Sequence, residues 1–372
     1  MRQERRPILD LTESNPTRAG IPYPEDLLRP LGHPRGLTYA PAPFGLASAR
    51  HAVSADFARR GLTVSPERIA LTASTSEAYS LIFKILCDPG DEVLIPRPSY
   101  PLFEHLLRLD AVAAVPYDLD YHGLWSIDMA GVERALTPRT RALLIVNPNN
   151  PTGHFVSASD LHQVAALCAS QGIAIISDEV FADYALTPGA ADGAGQLTTS
   201  EHVLGFTLGG LSKSIGLPQV KLAWLALSGP EETMRDAQIR LELACDTYLS
   251  VSTPVQAAAG DLFAAGTEVR RAIQNRVTIN HQRLMHRTTL VPSCRVLNAE
   301  GGWYAVIQVP SLGSEEDLVL ALLEENGVLI HPGYFFDFPT ESFLVCSLLP
   351  PPAVFAEGLE HILGRFADGA RP

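Results

Sequence analysis

Residues 142–153 read A142-L-L-I-V-N-P-N-N-P-T-G153. Five consecutive apolar residues demand burial on both faces, as in a strand inside a parallel sheet. The loop behind them is fixed by two prolines and a glycine, more constraint than an ordinary turn needs. Outward from this point, between Arg68 and Ser228, short apolar runs alternate with longer helix-period segments, the pattern of crossovers onto a mostly parallel sheet. Seven strands are expected: Ile69–Thr72, Val93–Pro96, Val112–Val115, Ala142–Val146, Ile173–Ser177, Val203–Leu208 and Leu222–Leu227. Helices such as Ser76–Leu86 and Ser159–Gln171 lie between them.

Beyond the sheet, Pro230–Asn275 has a helical period, and Ile273–His286 is expected to continue it as a long connecting helix. After Pro292 the texture changes to short strands, Arg295–Asn298, Tyr304–Val309, Val328–His331 and Phe343–Ser347, with a helix at Glu315–Glu325. This is the pattern of a second, smaller α+β unit. Residues 1–45 are rich in proline and read as an extended arm plus an active-site loop. The division expected is 1–45 arm and loop, belonging to the small domain, 46–285 large domain, and 286–372 C-terminal small domain.

At 372 residues, with 46% hydrophobic and 19% charged, the chain can bury a large core and is not a disordered protein. Lys and Arg number 28 against 41 Asp and Glu, and the net charge of −13 would repel a phosphate backbone, so nucleic acid is not an expected partner. Five dispersed cysteines form no C-x-x-C pair and no metal-ligand spacing, so free thiols and no metal site are expected. No long apolar run is present, and no apolar segment follows the basic residues at the start. A soluble cytoplasmic protein with no membrane partner is the expectation.

Four short motifs fall at ends of expected strands, where open α/β sheets bind ligands. T72-A-S-T-S-E77 places small hydroxyl residues at a helix start, where free amides favour a phosphate, although a plain helix cap has the same look. N147-P-N-N-P-T-G153 is the constrained loop. S177-D-E-V180 sets two carboxylates at the end of an apolar strand, costly unless paired, or favourable simply as the start of a helix. G209-G-L-S-K-S-I-G-L-P-Q-V-K221 carries one lysine mid-loop and a second eight residues on; solvated loop lysines are the plain alternative.

These motifs, in this order, resemble fold-type I pyridoxal 5′-phosphate (PLP) enzymes, specifically the class I and II aminotransferases, over nearly the whole chain. The resemblance implies an α/β large domain with a mostly parallel seven-stranded sheet, and a smaller α+β domain built from both terminal segments. It implies that Lys213 forms the Schiff base and then acts as general acid and base. Asp178 would pair with the pyridine nitrogen, and Asn150 would donate to the phenolic oxygen. Tyr100, in R97-P-S-Y-P-L-F103, would stack on the ring, and Ser74, Thr75, Ser76, Ser212 and Lys221 would hold the phosphate. Tyr39, in T38-Y-A-P-A-P-F-G45, resembles the loop that crosses to a neighbouring subunit, which implies a homodimer with shared sites.

Three positions depart from the family pattern. Phe181 stands where tyrosine is frequent and loses a donor to the phenolic oxygen. Lys221 stands where many relatives have arginine, whose fork grips phosphate in two bonds. Val345 occupies the place of an arginine that takes the substrate carboxylate. Candidates for that carboxylate are therefore Arg97, Arg35, Ser14 and Gln308; Arg97 is alternatively a surface residue or a partner of Glu104. The expected reaction is transamination between an amino acid and a 2-oxo acid. A PLP-dependent cyclase, lyase or oxidase stays open, and so does a nucleotide-binding protein, although no G-x-G-x-x-G follows a strand.

Overall fold

The computed structural model of the chain describes residues 7–193, 195–311 and 313–367. A short strand, β1 (Leu9–Asp10), comes first, and helix α1 (Ala47–Arg59) follows the proline-rich arm. One large sheet then takes eight strands. They are β2 (Ile69–Thr72), β3 (Glu92–Arg97), β4 (Ala113–Tyr121), β5 (Trp125–Ile127), β6 (Thr140–Val146), β7 (Ala174–Asp178), β8 (Gly205–Gly210) and β9 (Ala223–Ser228). Their order is β2-β9-β8-β7-β6-β3-β4-β5. The pairs β8–β7, β7–β6, β6–β3 and β3–β4 are parallel, whereas β9 runs antiparallel to β2 and β8, and β5 antiparallel to β4.

All seven expected strands are present, and the sheet is mostly parallel. The eighth, β5, was not expected. Strand β4 continues to Tyr121 because Pro116–Tyr121 alternates exposed and buried residues, an edge-strand pattern that a search for continuous apolar runs passes over. It then turns at Gly123, with φ of 94°, into β5.

Helices α2 (Thr75–Leu86), α3 (Leu102–Leu109), α4 (Met129–Ala135) and α5 (Ala158–Gln171) cover the two faces, and α6 (Leu211–Ser214) caps the end of β8. Consecutive side chains of β6 divide between the faces. Leu144 joins Tyr79, Ile82 and Phe103 on one, and Leu143 and Ile145 join Val132, Val164 and Cys168 on the other. All three β6 residues are fully buried, each a contribution of about 1.5–3 kcal/mol. This is the physical basis of the apolar run at 142–146.

The single helical stretch expected over 230–286 is three helices: α7 (Glu231–Tyr248), α8 (Thr253–Ala265) and α9 (Thr267–Thr288). The first break has Leu249 at φ 46° with Pro254 opening the next helix, and the second is at Gly266, where a Cβ would lie 2.7 Å from Ile215. The C-terminal part comprises β10 (Arg295–Val296), β11 (Tyr304–Gln308), α10 (Glu315–Asn326), β12 (Val328–Leu329), β13 (His331–Pro332), β14 (Phe343–Ser347) and α11 (Pro352–Ala367). The expected strand Val328–His331 is thus two. β13 lies at the edge of a four-stranded antiparallel sheet β10-β11-β14-β13, where the missing amide hydrogen of Pro332 is tolerated, and β12 pairs in parallel with β1.

The arm therefore packs on the C-terminal part: Leu11 donates its amide to Leu329 and accepts from Ser347. No described helix is long and apolar enough to cross a membrane. Among the described residues no cluster of potential metal ligands occurs, and the five cysteines are free.

Candidate active site

The carboxyl ends of β6, β7 and β8 open onto a cavity of about 260 Å³. Asp178, the last residue of β7, lies in it and is buried. Its Oδ2 accepts from the Tyr79 hydroxyl at 2.7 Å, and its Oδ1 from the amide of Val180 at 3.1 Å. Burial pushes its carboxyl above the usual range, against those two donors.

Lys213, on the turn of helix after β8, reaches the same cavity. Its Nζ is 4.9 Å from the centre of the Trp303 ring and 5.5 Å from that of Phe181. Burial lowers its amine to about 8, with the charge of Asp178 opposing the shift. The backbone that delivers it is tightly packed: a Cβ on Gly209 would lie 2.7 Å from the Trp224 ring.

At another wall of the cavity stands the start of α2, with Ser74, Thr75 and Ser76. Ser74 is itself the cap, its Oγ accepting from the Glu77 amide at 3.1 Å, while Glu77 returns a bond to the Ala73 amide. Its hydroxyl therefore serves the helix, and the first-turn amides of Thr75 and Ser76 have no helical acceptor. Ser212 lies on the same cavity.

Asn150 is held by the constrained loop. Asn147 donates its amide to Asp178 O, and Gly153 O accepts from the amides of both Glu300 and Gly301. Gly153 has φ of 70°, and a Cβ there would lie 2.6 Å from Gly301 O, so only glycine fits. Asn150 is buried in the cavity wall, and its side-chain oxygen has no partner among the described residues.

Tyr100, Phe181 and Ser14 also line the cavity. Lys221, Tyr39, Arg97, Arg35 and Gln308 do not. Lys221 is exposed, at φ 58°. Tyr39 is 72% exposed. Arg97 binds Asp118 at 2.7 Å, so it pairs neither with Glu104 nor with anything in the cavity. Arg35 is exposed and turns back to His33 Nδ1, and Gln308 sits in β11 opposite Phe343, beyond the cavity wall. Val345 is fully buried among Leu297, Val306, Phe336 and Phe338, an apolar setting with no room for a charge.

Sequence reasoning missed Tyr79, Trp303 and Tyr304. Tyr304 lines the cavity, and burial pushes its phenol up to about 12. Tyr79 was legible only as an apolar-face residue of α2, because its partner Asp178 is 99 residues away.

A buried amine, a buried carboxylate, an unpaired amide and a helix start with free amides around one cavity are the donor set of a fold-type I PLP enzyme. The family description "Aminotransferase class I and II" matches residues 11–362, and the chain belongs to that family. Among curated relatives, "Alanine aminotransferase" of Mycobacterium bovis is 29% identical over 96% of this chain and 85% of its own length. "Glutamate-pyruvate aminotransferase AlaA" of Escherichia coli is 25% identical over 99% of this chain and 91% of its own. Of solved structures, an alanine aminotransferase from Pyrococcus furiosus superposes with a TM-score of 0.87 at 24% identity, covering 99% of this chain and 94% of that one. The protein is an aminotransferase of the PLP-dependent kind.

Proposed function

We propose that Lys213 is the lysine that binds the cofactor and moves the proton in transamination. The observation carrying this is its buried amine, lowered to about 8, standing in the cavity that also holds Asp178. Bound PLP supplies the electron sink that lets an amino acid's Cα lose a proton. Burial, which favours the neutral amine, suits Nζ to take that proton and return it on the other side of the nitrogen. The carboxylate of Asp178, oriented by Tyr79, would hold the ring nitrogen in its protonated form. Asn150 would donate to the phenolic oxygen, Tyr100 and Phe181 would bound the ring, and Thr75, Ser76 and Ser212 would take the phosphate at the start of α2. Exposed as it is, Lys221 would reach the phosphate only from the rim of the cavity.

The substrates are an amino acid and a 2-oxo acid. Lys213 is the one cation among the described lining residues, which favours a neutral monocarboxylic amino acid over an acidic one. The relative named for alanine points the same way, whereas the one named for glutamate and pyruvate includes an acidic amino acid. We also propose a homodimer in which Tyr39 reaches the partner's cavity; Leu37, 88% exposed, and Tyr39 leave that loop bare in the single chain. The division at 45 and 285 and a reducing cytoplasmic setting complete the proposal, the latter supported by five free thiols. Borohydride reduction of the holoenzyme followed by peptide mapping tests the central assignment. Label on Lys213 is the expected result, and label on Lys221 or Lys84 would overturn it.

A further inference from the structure

Helix α6 is four residues long, so it cannot satisfy its own final carbonyls. Two side chains from distant segments bond its last two carbonyls, beside the Gly216 amide on Lys213 O, and a third takes the carbonyl of Gly216 just beyond the helix. Tyr184 Oη donates to Lys213 O at 2.6 Å and lies 3.2 Å from Ser214 O. Arg270 Nε, on α9, donates to Ser214 O at 2.8 Å. Tyr23 Oη, from the arm, donates to Gly216 O at 2.6 Å. None of the three lines the cavity.

The two groups nearest the lysine are themselves fixed. Tyr184 is fully buried, and its ring meets Trp303 edge-on at 5.2 Å, the same Trp303 that faces Lys213 Nζ. Arg270 is held by Asp56 at 3.1 Å and Asp183 at 3.4 Å, and Arg59 binds both of these carboxylates, at 2.8 and 2.6 Å. Two arginines against two aspartates leave no net charge, which is what permits a guanidinium at this depth.

We propose that Tyr184 and Arg270 are positioning residues for Lys213, fixing the peptide units from which its side chain projects. The proposal rests on Lys213 being the cofactor lysine. Adjacent carbonyls held by a phenol and a guanidinium fix both the place and the tilt of the peptide between them. Any tilt is magnified at Nζ, four methylenes away. Loss of either bond leaves its carbonyl only a longer one, from the Gly216 amide at 3.3 Å for Lys213 O or from Tyr184 Oη at 3.2 Å for Ser214 O, and so frees the turn to shift.

The test uses holoenzyme carrying Tyr184→Phe, which keeps the ring against Trp303, and Arg270→Lys, which keeps a charge between Asp56 and Asp183. Three quantities are read: the half-reaction rate at saturating alanine, the alanine concentration at half saturation, and the pH midpoint of the visible absorption band. The expected result is a rate lower by about tenfold or more, half saturation changed less than about twofold, and a displaced midpoint at full cofactor content. A purely structural role would lower thermal stability and leave the midpoint in place. Parental rates and midpoints in both variants would overturn the proposal, as would rate losses that only track lost cofactor. Borohydride mapping of the parent is run alongside: label elsewhere than Lys213 defeats the underlying assignment, whereas label on Lys213 with unaltered variants defeats positioning alone. Should Tyr184→Phe fail to fold, Arg270→Lys and Tyr23→Phe carry the test, with the smaller change expected in Tyr23→Phe.

Discussion

Replacing Lys213 with methionine should stabilise the cofactor-free protein, and by an amount that depends on pH. A lysine that titrates at about 8 in the folded chain and at 10.5 when exposed makes its protonated form cost the fold about 3 kcal/mol. Below pH 8 both states are protonated, and the whole penalty is present. Between pH 8 and 10.5 the unfolded chain binds more protons than the folded one, so stability rises with pH until the penalty is gone. Methionine fills the same space without the charge, but it leaves Asp178 without a nearby cation, so the net gain at pH 7 is set at roughly 2 kcal/mol. Urea unfolding of both proteins, stripped of cofactor and held at one concentration, gives the difference at each pH from 7 to 10.5. The difference should shrink steadily over the upper part of that range. A constant difference, or a Lys213→Met protein less stable at pH 7, would show that the amine is not held in a low-dielectric site.

Tyr79→Phe removes one of the two donors to Asp178 and should cost about 1–3 kcal/mol of stability, with weaker PLP retention in a spectral titration; an unchanged titration would place Asp178 outside cofactor binding. Arg97→Ala breaks a half-exposed pair with Asp118 and should leave the half-reaction within about twofold of the parent, so a large rise in the amino acid required would return Arg97 to the substrate site. Ser74→Ala removes the cap of α2 and should lower stability by about 1 kcal/mol, read as a shift in the urea midpoint, with phosphate affinity falling alongside.

The large sheet was legible because its strands are apolar on both faces and its loops are punctuated by proline and glycine. β5 and the end of β4 were not, since an edge strand alternates and carries a weaker signal. The breaks in the helical stretch had their marks in Pro254 and Gly266, which a reading of periodicity alone runs through. Within the site, Lys213, Asp178, Asn150 and the α2 start, each in a contiguous motif, all line the cavity, whereas Lys221, at the end of the same motif as Lys213, does not. The arginines did not. Arg97 lies three positions before Tyr100, yet it extends along β3 to meet Asp118 across the strand pair, a contact that no local spacing encodes. Tyr79, Tyr184 and Trp303 share that obstacle, for their partners are brought to them only by the folded sheet.

The arm bears on how the protein is made. Ser14 enters the cavity from a stretch anchored to residues near the other end of the chain: Ser347 Oγ donates to Glu13 O across a separation of 334 residues, and Arg276 joins Ala19 O to Leu349 O. Contacts so far apart carry the largest loop-closure cost and form late. During synthesis the arm must therefore wait for a segment made 334 residues later before it can dock. The sheet and Lys213 can be in place well before that, but the cavity lacks one wall until the arm docks. A nascent chain halted before β14 should have a wider cleft that lacks the wall Ser14 supplies in the finished enzyme.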